Sequence, residues 1–266
     1  MTPPEHIFMG TIVANSAYAV RIMRGRRAPS YGILLLAGAL CAVLPDIDSL
    51  FGHYGSANPW VGHRGMTHSL LWSLLQAFLV AFFLYRIRVR SAVESLNAAG
   101  GEDDTRSAFL LLFATALTAS VSHVIADLPQ PPSVWHGIPV FFPLTKNGEY
   151  VRNGGWGLIG WYDFRIMINL FLGALATGGI CGALFIWRQR ISRPVKRALG
   201  ALVLCIGLGS SIWTGYYISG CSYESGRHWE QYQGEVLESY PGGVRRAVLG
   251  GRRIFYDAFV FIRRNF

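Results

Sequence analysis

Long apolar runs separated by short charged connections are the main pattern of this chain. Five of these runs approach or reach the roughly 20 residues that a membrane-spanning helix needs. They cover residues 31–51, 70–87, 108–127, 166–187 and 199–219. A further stretch, over 5–20, precedes them and is counted as the first run; it is shorter and rich in small residues, and the two prolines before it favour a helix start. The pattern predicts an all-α, polytopic helical membrane protein with five to six transmembrane helices, and leaves open whether 5–20 spans.

The basic residues alternate in number from one connection to the next. Three connections, at 21–29, 86–107 and 188–197, hold 13 of them, whereas the intervening loops at 52–66 and 128–165 hold four. Cytoplasmic loops of membrane proteins carry an excess of Lys and Arg. The alternation therefore predicts that the first set is cytoplasmic and that the intervening loops face outward.

Composition supports this class of protein and excludes others. Hydrophobic residues make up 52% of the 266 residues and charged residues only 15%, against about 25% charged in soluble domains. These values exclude an ordinary soluble enzyme, a disordered chain and a disulfide-rich module. The net charge of +9 is explained by topology, so we expect no nucleic-acid partner. The tail over 220–266 carries seven arginines, and its apolar stretch 254–262 is typical of a helix on a membrane surface.

Several acids and histidines lie at the ends of the apolar runs, where ionisable groups are costly and commonly functional. Pro45 interrupts the second run and lets the turn after it present Asp46 and Asp48. Alone, one such Asp would fit a simple helix cap. His123 and Asp127 are four residues apart at the end of the fourth run, so they share one helix face. A buried His–Asp hydrogen bond is the ordinary alternative there.

The sequence His63-Arg-Gly-Met-Thr-His-Ser69 directly precedes the third run. Thr67 has the character of an N-cap, which would place His68 in the first helical turn. The preceding His63 can fold back over that helix start, and Arg64 can bind an anionic group through two hydrogen bonds. Taken singly, each histidine is more commonly a structural residue.

Convergence is what favours a metal site. Under the predicted topology the outward ends of three runs carry these acids and histidines, and His6 lies at the outward end of 5–20. A mixed His/Asp set suits zinc, manganese or iron, with zinc as the default for hydrolysis. Six or seven candidate ligands exceed the needs of one ion, so we expect one or two divalent metal ions. The full candidate set is His6, Asp46, Asp48, His63, His68, His123 and Asp127.

The same motifs resemble the YdjM-like family of inner-membrane proteins regarded as metal-dependent hydrolases. The resemblance lies in the blocks at 6–10, 44–48, 63–69, 123–127 and 137–144, and covers residues 1–145. It implies a distant relation to zinc-dependent phospholipases C and single-strand nucleases, and supports the seven candidate residues as metal ligands or their supporting shell. The predicted organisation is a hydrolase-like region over 1–145, a loop and two helices over 146–219, and the tail.

Three functions remain open from the sequence. The first is hydrolysis of a phosphoester, with a membrane lipid as substrate, at the outer face of the membrane, with Asp48 as candidate base and Arg64 stabilising negative charge. The second is a transporter or channel that uses the His/Asp cluster for metal or protons. The third is a non-catalytic scaffold that a metal ion holds together.

Overall fold

The computed structural model describes residues 3–25, 30–51, 65–89, 105–127 and 164–224, and these segments are helical throughout, apart from turns. Six α-helices follow one another in these described segments. They are α1 (Pro3–Met23), α2 (Tyr31–Val43), α3 (Leu70–Leu84), α4 (Thr105–Asp127), α5 (Phe164–Ile186) and α6 (Arg193–Glu224). Short 3-10 helices over Leu44–Phe51 and Met66–His68 flank the gap between α2 and α3, and a π-helical turn, Tyr85–Val89, ends α3. The prediction of an all-α protein is confirmed.

Within the part of the chain that the structure describes, five segments are long and apolar enough to cross a membrane, in agreement with the predicted five to six. They are Tyr31–Asp48, Leu70–Ile87, Arg106–Asp127, Ile166–Ile186 and Arg193–Thr214. Large apolar side chains on their outer faces support this, because Leu71, Phe83 and Leu175 are all more than half exposed. Exposed apolar surface of this extent is suited to lipid contact. The protein is therefore a polytopic helical membrane protein.

Helix α1 lies at the centre of the bundle and packs against α2, α4, α5 and α6. It is 21 residues long, longer than the stretch 5–20 suggested, and this length spans about 30 Å. Its lower apolarity has a structural reason, because neighbouring helices surround it in place of lipid. Asn15 of α1 donates a 2.8 Å hydrogen bond to Thr177 of α5 and accepts one of 2.7 Å from Tyr31 of α2. This buried polar layer ties three helices together.

The helices alternate in direction, so that charge is divided between the two ends of the bundle. His6 at the start of α1 lies beside Asp127 at the end of α4, whereas Arg21 near the other end of α1 donates a hydrogen bond to Ser107 at the start of α4. Each described basic residue beyond a helix terminus, including Arg24 and Arg188, lies at this second end. The His/Asp end and the basic end are therefore opposite ends of the bundle.

Helices α1 and α2 cross in close contact at Gly10 and Gly38. A Cβ added at Gly10 would lie 2.7 Å from Ala42 Cβ and closer still to the Gly38 carbonyl oxygen. Both obstacles belong to a rigid helix, so the helices would have to separate. The crossing lies one turn from His6 and therefore fixes the distance of α1 from the end of α2.

We expect Gly10→Ala to destabilise the protein by about 1–3 kcal/mol, the usual cost of overpacking a filled contact. Thermal unfolding of the detergent-solubilised protein measures this. Gly182→Ala is the matched control, because nothing lies within 4 Å of its added Cβ, and we expect it to be neutral or slightly stabilising. An equal loss of stability in both variants would contradict the close crossing.

Candidate metal centre

The chain after α2 turns Asp46 toward the bundle. Pro45 cannot donate to the helical ladder, and the α-helix gives way after Val43 to the 3-10 helix Leu44–Phe51. This agrees with the prediction that Pro45 interrupts the second run. Asp46 lies in the first turn of the 3-10 helix. The change from α-helix to 3-10 helix therefore turns the chain directly before Asp46.

His68 reaches the site from the short 3-10 helix before α3. Ser69 caps α3 by accepting a 3.1 Å hydrogen bond from the backbone N–H of Trp72. The prediction that Thr67 is the N-cap is therefore wrong, and His68 precedes the α-helix instead of lying in its first turn. Ser69, three residues before Trp72, satisfies the same capping preference as Thr67, and the sequence alone does not separate the two.

His123 and Asp127 occupy the last two turns of α4 and face the same way. His123 Nε2 lies 3.7 Å from Asp127 Oδ2, and both residues are almost fully buried. Their buried position at a helix end brings them beside Asp46 and His68. Three separate parts of the chain thus supply the four residues that form one group.

Five of the six distances between the four donor atoms of this group are close to those of a tetrahedral ion site, and the donor atoms of the four residues lie within 4.8 Å of one another. The Nε2 atoms of His68 and His123 are 3.1 Å apart. From Asp46 Oδ1 they lie at 3.4 and 3.5 Å, and from Asp127 Oδ2 at 3.5 and 3.7 Å. A tetrahedral ion with bonds of about 2.0–2.1 Å places its ligand atoms about 3.3–3.4 Å apart. The group can therefore hold a metal ion with only small side-chain adjustments.

The hydrogen bonds of the Nδ1 atoms of His68 and His123 show where the Nε2 lone pairs of these residues point. His123 Nδ1 lies 2.7 Å from the carbonyl oxygen of Ala42, which can only accept, so Nδ1 donates. Thr67 Oγ1 donates to Asp48 and lies 3.1 Å from His68 Nδ1, so it accepts from that nitrogen. In their neutral forms both residues then direct an Nε2 lone pair at the other. Two lone pairs and two carboxylates facing one point need a cation between them.

The electrostatics of the metal-free protein also indicates that this group needs a cation. Burial by itself would lower the pKa of His68, but hydrogen bonds with Asp127 and Asp46 and the charge of Asp48 outweigh it and raise the pKa to about 9. The carboxylates therefore hold a proton on His68 when no metal is bound. A metal ion entering the group takes the place of that proton.

Of the remaining predicted site residues, the structure describes two, His6 and Asp48. His6 lies beside the four donors, with Nε2 3.3 Å from Asp127 Oδ1 and its ring stacked on that of His123 at 3.7 Å. Asp48 lies outside the four-donor set, 3.7 Å from His68 Nδ1. His63 and Arg64 lie outside the described residues, as do the block at 137–144 and the tail stretch 254–262.

Thr67 links Asp48 to His68, a contact that the sequence did not reveal. A hydrogen-bonded partner on the outer nitrogen fixes the orientation of a metal-binding histidine, and its loss typically costs 10- to 100-fold in affinity. We expect Thr67→Val to weaken metal binding by about that factor without changing the stoichiometry. Competition with a chromogenic chelator measures the affinity.

Thr115→Val is the matched control for this prediction. Thr115 is buried, and its hydroxyl donates within α4 to Leu111 O. We expect this variant to retain the wild-type metal affinity. Equal affinities for the Thr67 variant and the wild-type protein would contradict the role of Thr67 in orienting His68.

The fold and the site define a multi-pass helical membrane protein with a buried His/Asp group that can hold a metal ion. The chain matches one family model, described as YdjM inner membrane protein, over residues 1–216. It belongs to this family, and the match extends beyond the motifs ending at 144 to include α5 and most of α6. Neither the curated proteins nor the solved structures gave a match.

Proposed function

We propose that this protein is a metal-dependent hydrolase that acts on a phosphoester at the outer face of the inner membrane. The tetrahedral spacing of two imidazole nitrogens and two carboxylate oxygens, with lone pairs facing one point, carries the proposal. We assign zinc as the metal, because a set of nitrogen and oxygen donors at this spacing suits it. Bound there, zinc would supply an activated water near neutral pH and polarise the phosphoryl group, with the water as a fifth ligand or in place of one carboxylate.

Access to the group is from the side of Asp46. The Asp46 side chain is 11% exposed, whereas those of His68, His123 and Asp127 are at most 1% exposed. A substrate that approaches this end of the bundle therefore reaches the ion past Asp46. Catalytic sites need such an approach, whereas a purely structural ion can be enclosed on every side.

The other site residues orient the donors and stabilise charge. Asp48 accepts a hydrogen bond from Thr67, which accepts from His68, so we assign Asp48 to orientation of His68 in place of proton transfer. Arg64 adjoins the 3-10 helix of His68 in the sequence. It stays our candidate for stabilising negative charge on the phosphoryl group.

The charge distribution supports an assignment of the site to one side of the membrane. The described basic residues beyond the helix termini lie at the end of the bundle opposite the His/Asp group, and basic connections are cytoplasmic in most membrane proteins. We therefore assign the group to the extracytoplasmic side, near the lipid headgroups. A lipid phosphoester is therefore the substrate that we favour.

A metal-stabilised scaffold is the second candidate, and one observation favours it. Four protein donors suffice to complete a tetrahedral shell, as in structural zinc sites. The donors also join α4 to the segments flanking α2 and α3. In this case a bound ion would raise stability and no hydrolysis would accompany it.

Metal content and hydrolysis measured on the same samples separate these candidates. The intact protein is purified in detergent without chelator, its metal is measured by mass spectrometry, and its activity is assayed on phospholipid micelles and a chromogenic phosphodiester. We compare wild type with His123→Ala and with Thr177→Val, a buried substitution in the polar layer of α1, α2 and α5. We expect metal and hydrolysis in wild type and the Thr177 variant and neither in the His123 variant.

Two results would count against the enzyme. Bound metal without hydrolysis of either substrate, together with a loss of thermal stability on metal removal, would identify the scaffold. A wild-type protein that binds no divalent metal would overturn both candidates.

A further inference from the structure

In each carboxylate of the metal centre, Asp46 and Asp127, one oxygen faces His68 and the other faces His6. Asp46 Oδ1 and Asp127 Oδ2 lie 3.4 and 3.5 Å from His68 Nε2. Their other oxygens, Asp46 Oδ2 and Asp127 Oδ1, lie 3.9 and 3.3 Å from His6 Nε2. His6 and His68 thus approach the same pair of carboxylates through opposite oxygens.

His6 is buried in a way that a structural histidine would not explain. Its side chain has no exposed surface, and among the described residues neither ring nitrogen has a hydrogen-bond partner of acceptable geometry. A buried imidazole normally satisfies both nitrogens, because an unpaired buried polar group costs about 1–3 kcal/mol. Its 3.7 Å stacking on the His123 ring holds Nε2 toward the carboxylates.

We propose that His6 Nε2, Asp46 Oδ2 and Asp127 Oδ1 bind a second divalent cation, so that both carboxylates bridge two ions. This inference rests on the metal centre of the proposed function, where the first ion is bound by His68, His123 and the opposite carboxylate oxygens. Two-metal sites of hydrolytic enzymes hold their ions about 3.5–4 Å apart. A carboxylate with one oxygen on each side suits that separation.

Charge indicates what such a pair of ions binds. Two carboxylates and three neutral imidazoles balance one divalent ion, whereas two divalent ions leave a formal charge of +2 on the ligand set, which the neighbouring Asp48 carboxylate reduces to +1. Burying uncompensated charge is costly, so the two-ion state needs an anionic ligand. A phosphate group with negative oxygens near both ions supplies that charge, and the approach past Asp46 gives it access. The second ion therefore selects anionic phosphoesters over neutral esters.

Metal stoichiometry and the magnetic signature of Mn²⁺ test this proposal independently of hydrolysis. The full-length metal-free protein is titrated with Mn²⁺ and followed by electron paramagnetic resonance, with inorganic phosphate added in a parallel series. We expect two equivalents in wild type, with the spin-coupled spectrum of a paired site and tighter binding of the second equivalent in phosphate. His6→Phe keeps a stacking ring but removes both nitrogens, and we expect one equivalent with an uncoupled spectrum.

Thr177→Val is the matched control and should retain two coupled equivalents. Size-exclusion elution and thermal unfolding of each variant show whether it is folded, and if His6→Phe is not, His6→Gln replaces it. One equivalent in wild type, or two in a folded His6 variant, would overturn the second site and leave the first site intact. Failure of the wild type to bind any ion would instead overturn the proposed function.

Discussion

Asp127→Asn is expected to abolish metal binding and to reduce hydrolysis to background. Both oxygens of Asp127 face imidazole nitrogens, Oδ2 toward His68 and His123 and Oδ1 toward His6. An amide keeps the shape of the carboxylate but removes its charge and turns an N–H₂ group toward one of these nitrogens. We therefore expect the affinity to fall by more than the roughly 100-fold that loss of an outer partner costs.

Asp48→Asn is the matched control, because it makes the same carboxylate-to-amide change at a residue beside the four-donor group. Asp48 contacts Thr67 and lies outside the four-donor set, so we expect weaker binding with the stoichiometry retained. Metal content after equilibrium dialysis, measured by mass spectrometry, gives both values. The assignment of Asp127 fails if its variant keeps the wild-type metal content, or if the two variants lose metal equally.

Much of the architecture was predictable because membrane insertion imposes a simple pattern. The five apolar runs correspond to the five candidate spans within a few residues at each end, apart from 199–219, since the span there begins at Arg193. Stretch 5–20 was harder to interpret, because a helix enclosed by others has no need of an apolar surface. Its polar Asn15 and small Gly10 and Ala14 reflect contacts with helices instead of lipid.

Part of the candidate site was also predictable, because helix ends at one membrane face must meet. His123 and Asp127 follow from four-residue helical spacing, and Asp46 from the proline before it. The role of Asp48 was not predictable, because it depends on the 3-10 helix Met66–His68. There Thr67 donates a hydrogen bond to Asp48 and contacts His68 instead of capping α3. Sequence spacing also does not show which oxygen of Asp46 or Asp127 faces His6 and which faces His68. That depends on the side-chain rotamers, which are determined by packing.

Removing the metal is expected to lower the thermal stability of the protein substantially. The donors come from α4 and from the two 3-10 helices that follow α2 and precede α3. A ligand that binds only the folded state, at a free concentration 1,000-fold above its Kd, stabilises it by about 4 kcal/mol. For a chain of this size this corresponds to roughly 10 °C in the unfolding midpoint.

The measurement is thermal unfolding in detergent before and after dialysis against a chelator, followed by addition of Zn²⁺. We expect the midpoint to fall and then to recover, while Asp127→Asn starts at the lower value and does not respond to zinc. The two carboxylates beside the imidazoles, whose Nε2 atoms are 3.1 Å apart, explain why the group needs a cation to balance its charge once the metal is removed. A wild-type midpoint that is unchanged by chelation would show that these side chains do not need an ion to remain together.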